Sequence, residues 1–411
     1  MKTFDEKLKD YAKLIVKKGI NVQKGQPVFI NCPVDLAYFV RVIAKEAYSA
    51  GASEVYTNWV DDELTVLKYE NAPMEIFENF PKWAVDRKKD FLDRNAAFIS
   101  FHAENPSLLK DVDTKKILAA SKAANIANKE NSKYIMNDIN SWCVVSAPVA
   151  GWAKEVFPDM DEKEAMEKLW DKIFYTTRCD LDDPIKAWDE HVNNMDSHAA
   201  YLNKKAFKYL HYTNKKGTDL KVELPKGHIW LSAGSTNAKG AVFIANIPTE
   251  EVYTLPLKTG VNGKLYSAKP LSYNGNLIDE MYFEFKDGKV VDYDAKIGKE
   301  YLDDMFAVDE NGKYLGEVAL VPHDSPISNS NIIFKNTLYD ENASCHFAFG
   351  EAYPTCLENG SKMSAKELEE KGVNDSLIHV DFMVGTEDLN ILGITEDNEE
   401  IQIFKDGNWA F

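Results

Sequence analysis

The chain has 411 residues, 45% hydrophobic and 28% charged, which is enough apolar content to build two domain cores. No run reaches the roughly 18 apolar residues of a membrane span. The formal charge of −18 excludes the basic footprint of a nucleic-acid or anionic-membrane binder and favours cations as partners, although much of such acidity serves solubility.

The opening MKTFDEKLKDYAKLIVKKG mixes both charge signs. It lacks the apolar core and cleavage site of a signal peptide, so the cytoplasm is the expected location. Over residues 5–18 it predicts an amphipathic helix that stops at Gly19. PVFIN (27–31) reads as a short buried strand. DLAYFVRVIAKEAYSAG (35–51) has helical periodicity, with Asp35 as the expected cap and Gly51 as the stop. EVYTNWV (54–60), AAFISFH (96–102) and WCVVSAP (142–148) read as strands, and residues 113–129 as a helix. Alternating strands and helices imply a mainly parallel sheet. A further helix is predicted over 160–177, then an extended region to about residue 203. There is no GxGxxG and no GxxxxGK[ST], so a nucleotide has no phosphate-cradling loop. Cys32, Cys143, Cys179, Cys345 and Cys356 are scattered and odd in number, which fits reduced thiols.

The pattern changes near residue 205. AFKYLHYT (206–213) and TDLKVEL (218–224) flank an NKKG turn. Turn signals follow at Asn262-Gly263, Asn274-Gly275, Asp287-Gly288, Asn311-Gly312 and Asp406-Gly407, giving a hairpin-rich, mainly antiparallel reading. The expected division is an α/β N-terminal domain over 1–200 and a larger α+β C-terminal domain over 201–411, with the boundary somewhere in 190–205.

Acidic and imidazole groups recur at apolar positions of this second half. In NIPTEEVYT, Glu250 and Glu251 follow a Pro248 turn; a doubled glutamate there is ordinarily a solvated pair. In LGEVALVP, Glu317 enters a strand that looks buried. In LYDENASCHFAFGEAYPTC, Glu341, His346 and Tyr353 sit among small and apolar residues. In LIHVDFMVG, the period of two puts His379 and Asp381 on one face of an otherwise apolar strand. A buried charge needs compensation, by hydrogen bonds or by an ion. Hard oxygens plus imidazoles suit zinc, cobalt or manganese, and several carboxylates able to bridge suggest two ions. His102, His211, His228 and His323 lack such a context; His191 and His198 could be structural or functional. Cys345 beside His346 reads as structural.

These four segments, in this order and spacing, closely resemble the aminopeptidase T, PepS and AmpS family of dinuclear metallopeptidases. The resemblance covers most of the chain and is densest over residues 240–385. It implies a six-residue metal site of Glu251, Glu317, His346, Tyr353, His379 and Asp381, with Tyr353 also placed for catalysis and Glu317 a plausible bridge. Glu341 is a further candidate ligand or proton carrier. It also implies a C-terminal domain that carries the metals, and a homodimer. The expected activity is removal of N-terminal residues from peptides by a metal-activated water. In that scheme Tyr353 stabilises the oxyanion, Glu317 or Glu341 moves the proton, and a metal or carboxylate holds the substrate amine. Two other readings are a peptide receptor that binds metal without turnover, and a two-metal hydrolase of esters or phosphoesters. The second would want a basic phosphate clamp, and none is evident near the ligand segments.

Overall fold

PVFIN belongs to a strand, Pro27–Pro33, with six of its seven residues buried, as a strand covered on both faces must be. In the computed structural model, which describes residues 2–273 and 276–411, it pairs with Glu54–Val60 on one side and Ala97–Phe101 on the other; Trp142–Val145 completes the sheet. All three pairings are parallel, in the order second, first, third, fourth strand. The chain forms two compact units. One comprises residues 1–192, 234–249 and 333–338, and the other residues 193–233, 250–332 and 339–411.

The first helix, Phe4–Leu14, opens on a Thr3–Glu6 capping box and runs into a π turn at Ile15–Gly19. The helix Ala37–Ala50 buries Phe39, Val40, Ile43 and Ala47, one stripe at helical spacing, and ends on left-handed Gly51. Asp35 is not its cap. A 3-10 turn, Val34–Leu36, leads straight into the helix, so Asp35 lies inside helical backbone rather than at its extended entry. Helices Asp62–Asn71 and Lys82–Asp93 precede the third strand, and the helix predicted over 113–129 extends over Thr114–Met136.

The region expected to be extended up to residue 203 is instead a helix, Pro184–Lys205. Asp183 accepts a hydrogen bond from Lys186 N at its start, and Pro184 suits the first turn. Trp188, Met195, Ala199 and Leu202 are its buried stripe.

In the second unit, Tyr209–Thr213 and Asp219–Glu223 form the expected hairpin at the centre of a nine-stranded sheet whose pairings are all antiparallel. Asp287-Gly288 and Asp406-Gly407 make tight turns with positive φ at both positions. Asn262-Gly263 is no turn: it lies inside the strand Val261–Tyr266. Gly263 is there because any side chain would run into the Asp219 carbonyl of the neighbouring strand. Asn311-Gly312 lies in a 3-10 turn, Glu310–Lys313, whose amides are capped by the Asp309 carboxylate; it joins no hairpin. Asn274-Gly275 lies outside the described residues.

A smaller antiparallel sheet holds the acidic segments. Its order is His379–Met383, His346–Gly350, Leu315–Leu320, Val252–Thr254. One face carries Phe347, Phe349 and Phe382. Phe349 stacks on Phe382 at 4.5 Å and meets Phe283 and Phe306 edge-on at 5.0 Å each. Burying each such ring is worth roughly 1.5–3 kcal/mol, so this aromatic layer fixes the strands that present the opposite face.

Candidate metal centre

The opposite face is set by register. Glu317 lies across from Ala348, and Ala348 across from Asp381. His346 and His379 each stand two residues before a member of that row, so both imidazoles share its face. Ala348 is the small residue between the two carboxylates. Gly350, opposite His379, has φ 100°, and a side chain there would run into the Ile378 carbonyl. Glu251 enters from the turn immediately before Val252–Thr254.

Two groups of ligand-type atoms result: Glu251, Glu317 and His346, and Glu317, His379 and Asp381. Within each group the atoms lie within 4.8 Å of one another. His346 Nε2 is 3.2 Å from Glu251 Oε2 and 3.4 Å from Glu317 Oε1. His379 Nε2 is 3.5 Å from both Glu317 Oε2 and Asp381 Oδ1. Glu317 therefore turns one oxygen to each group. Glu251, Glu317 and His346 are buried, His379 and Asp381 half-buried. The PTEE glutamates are not a solvated pair: Glu250 is as buried as Glu251.

The outer contacts orient the donors. His379 Nδ1 lies 2.7 Å from the Glu351 carbonyl and His346 Nδ1 3.2 Å from that of Ser344. An Nδ1–H donated to each carbonyl leaves both Nε2 lone pairs facing the carboxylates, the tautomer a metal ligand needs. Three carboxylates and two such imidazoles fit a divalent ion of the zinc, cobalt or manganese type. Cys345, despite its place beside His346, faces away; its thiol meets the Val321 backbone, and burial pushes it up to about 12. All five cysteines are free and buried.

Electrostatics agrees. Burial opposes the charged form of His379, yet Asp381 and Glu317 push it up to about 10. Burial likewise opposes charge on His346, and Glu251 and Glu317 hold it well above the usual imidazole range. Burial, then Asp381 and Glu251, raise Glu317 against the opposing His346 hydrogen bond. Asp381 stays below the usual carboxylate range although burial opposes this, because His379 faces it. Without an ion, protons on the imidazoles balance the carboxylates; a divalent ion would take that place.

Tyr353 follows the His346 strand and meets His379 edge-on at 5.0 Å and Tyr253 at 6.2 Å. Burial, then the Glu317, Asp381, Glu251 and Glu341 carboxylates, push its phenol well above the usual range. Glu341 opens the 3-10 turn Glu341–Ala343; burial, then Asp381 and Glu251, hold its carboxyl well above the carboxylate range. So Glu251, Glu317, Glu341, His346, Tyr353, His379 and Asp381 all fall in one neighbourhood. His191 is braced by Arg178 at 3.1 Å and bonded to the Thr249 carbonyl at 2.8 Å; His198 stacks on Trp409 at 4.4 Å. The Glu351 and Ser344 carbonyls carry no side-chain signature in the sequence. Asn342, which follows Glu341 in LYDENASCH, is visible in the sequence but carries no metal-ligating group.

A family model described as thermophilic metalloprotease (M29) matches residues 4–409. The chain belongs to the M29 metalloprotease family. It is 49% identical over 411 residues to aminopeptidase AmpS of Bacillus subtilis, covering 100% of both chains. It is also 49% identical to aminopeptidase 2 of Geobacillus stearothermophilus, covering 100% of this chain and 99% of that one. The solved structure of wild-type AmpT from Thermus thermophilus matches with a TM-score of 0.93 at 35% identity, over 100% of each chain. The family expected from the four motifs is thus the family found, and the M29 fold accounts for the parallel sheet and the antiparallel-rich remainder. Among the described residues, no helix is long and apolar enough to cross a membrane.

Proposed function

We propose that this metallo-aminopeptidase releases single residues from free peptide N-termini at a two-ion centre held by Glu251, Glu317, His346, His379 and Asp381, with Tyr353 beside it. The observation that carries the two-ion reading is Glu317, whose two oxygens face separate ligand groups. Bound there, zinc, cobalt or manganese ions supply the Lewis acidity that polarises the scissile carbonyl and activates water near neutral pH.

The chain's own groups do the rest. The Tyr353 hydroxyl stays protonated and donates to the carbonyl oxygen as it gains negative charge. Glu341 or Glu317 takes a proton from the attacking water and delivers it to the leaving amine. Glu341 fits the carrier role because burial and its acidic neighbours raise the proton affinity of its carboxylate. A carboxylate of the site would hold the substrate's free amine, directly or through the ion it binds, which restricts cleavage to the N-terminal bond. By family resemblance the working form is a homodimer, and the opening segment, without the features of a signal peptide, places it in the cytoplasm; the net charge of −18 argues against nucleic-acid partners.

The test compares a free dipeptide with its N-acetylated form, before and after dialysis against chelator. Cleavage of the free form only, lost with chelator and restored by a divalent ion, is expected. Equal cleavage of both forms removes amine recognition, and full activity in metal-free protein removes the centre.

A further inference from the structure

Asn342 is fully buried and holds two parts of the site at once. Its Oδ1 accepts from the backbone N–H of Glu250 at 2.8 Å, and its Nδ2 donates to Glu341 Oε1 at 3.2 Å. Glu250 is the residue before Glu251, and the Glu250–Glu251 peptide leads directly to that ligand. One side-chain amide therefore fixes both the backbone that delivers Glu251 and the carboxyl of Glu341. We infer that Asn342 is a positioning residue that sets metal affinity through the Glu251 turn and turnover through Glu341.

The chemistry requires an amide. The Glu250 N–H needs an acceptor, and the Glu341 carboxylate needs a donor when ionised. Aspartate offers the first and not the second, while alanine offers neither. The two halves of the role are thus separable by mutation, as they would not be for a residue that only fills space. A buried donor or acceptor left unpaired is costly, so loss of either contact should displace the group it held.

This inference rests on the aminopeptidase reading for Glu341 but not for the ligand turn. The experiment uses Asn342→Asp and Asn342→Ala in the full chain. Zinc affinity is measured by chelator competition, kcat and KM on a free dipeptide, and folding by circular dichroism. For Asn342→Asp, zinc affinity and KM should stay near wild type while kcat falls on the order of 10-fold or more, as expected when a proton carrier is misplaced. For Asn342→Ala, zinc affinity should also fall, by roughly 10–100-fold as for other outer-shell partners. Folded variants with wild-type kcat and zinc affinity overturn the proposal. So does an Asn342→Asp variant whose zinc affinity falls as far as that of Asn342→Ala. If Asn342→Ala does not fold, Asn342→Asp decides alone, through its split between kcat and zinc affinity. A wild-type protein that binds zinc without cleaving peptides counts against the aminopeptidase reading instead, and the zinc arm still tests the Glu251 half.

Discussion

Glu317→Gln is the substitution whose effect the geometry defines most sharply. Glu317 Oε1 lies 3.4 Å from His346 Nε2, and Oε2 lies 3.5 Å from His379 Nε2. It is the residue common to both ligand groups. Glutamine keeps the shape but offers one neutral oxygen and one NH2, so it cannot present an anionic oxygen to each side. Loss of an outer-shell partner costs about 10–100-fold in metal affinity, and a direct ligand should cost at least the upper end, ~100-fold or about 2.8 kcal/mol. His346→Gln weakens the first group alone and Asp381→Asn the second alone, so each should cost that amount at one ion. Glu317→Gln should cost it at both, ~10⁴-fold in the product of the two binding constants or about 5.6 kcal/mol. The assay is zinc competition with a chromophoric chelator, together with metal per chain after dialysis. Each single-group variant should keep one tight ion, and Glu317→Gln none. A Glu317→Gln protein that loses no more than His346→Gln refutes the shared-ligand reasoning.

Two further substitutions probe the site from other sides. Tyr353→Phe should leave metal content unchanged and lower kcat by about 10²–10³-fold, the cost of one oxyanion donor; unchanged kcat in steady-state assays would remove its role. Ala348→Val adds two methyl groups between Glu317 and Asp381. Thermal and denaturant unfolding should show a folded protein destabilised by about 1–3 kcal/mol. Its peptidase activity should fall on the order of 10²-fold, because the ligands are pushed apart. Normal activity would mean that the space over Ala348 is not part of the centre.

The site was more legible in the sequence than parts of the fold. The alternation in LIHVDFMVG was enough to put His379 and Asp381 on one face, and GEVAL enough to mark a buried strand with a carboxylate in it. Those signals are local. The pairing that puts Ala348 between Glu317 and Asp381 is long-range, and no periodicity reveals it. The helix Pro184–Lys205 has no clear helical signature in the sequence, because its buried stripe, Trp188 to Leu202, is thin and broken by DEHVNN. The helix Asp62–Asn71 buries no residue at all, so it has no apolar face to recognise. Asn262-Gly263 misled for another reason: glycine serves turns and close strand contacts alike. The carbonyls of Glu351 and Ser344, which aim the two imidazoles, belong to the backbone and are hidden from residue identity.

The most direct test of the central claim is anomalous scattering at the metal edge from crystals soaked in zinc or cobalt. Two peaks are expected, roughly 3.5–4 Å apart as in other two-metal sites, with a Glu317 oxygen toward each. One ion would be bounded by Glu251 and His346, the other by His379 and Asp381. A single peak, or peaks away from Glu317, would contradict it.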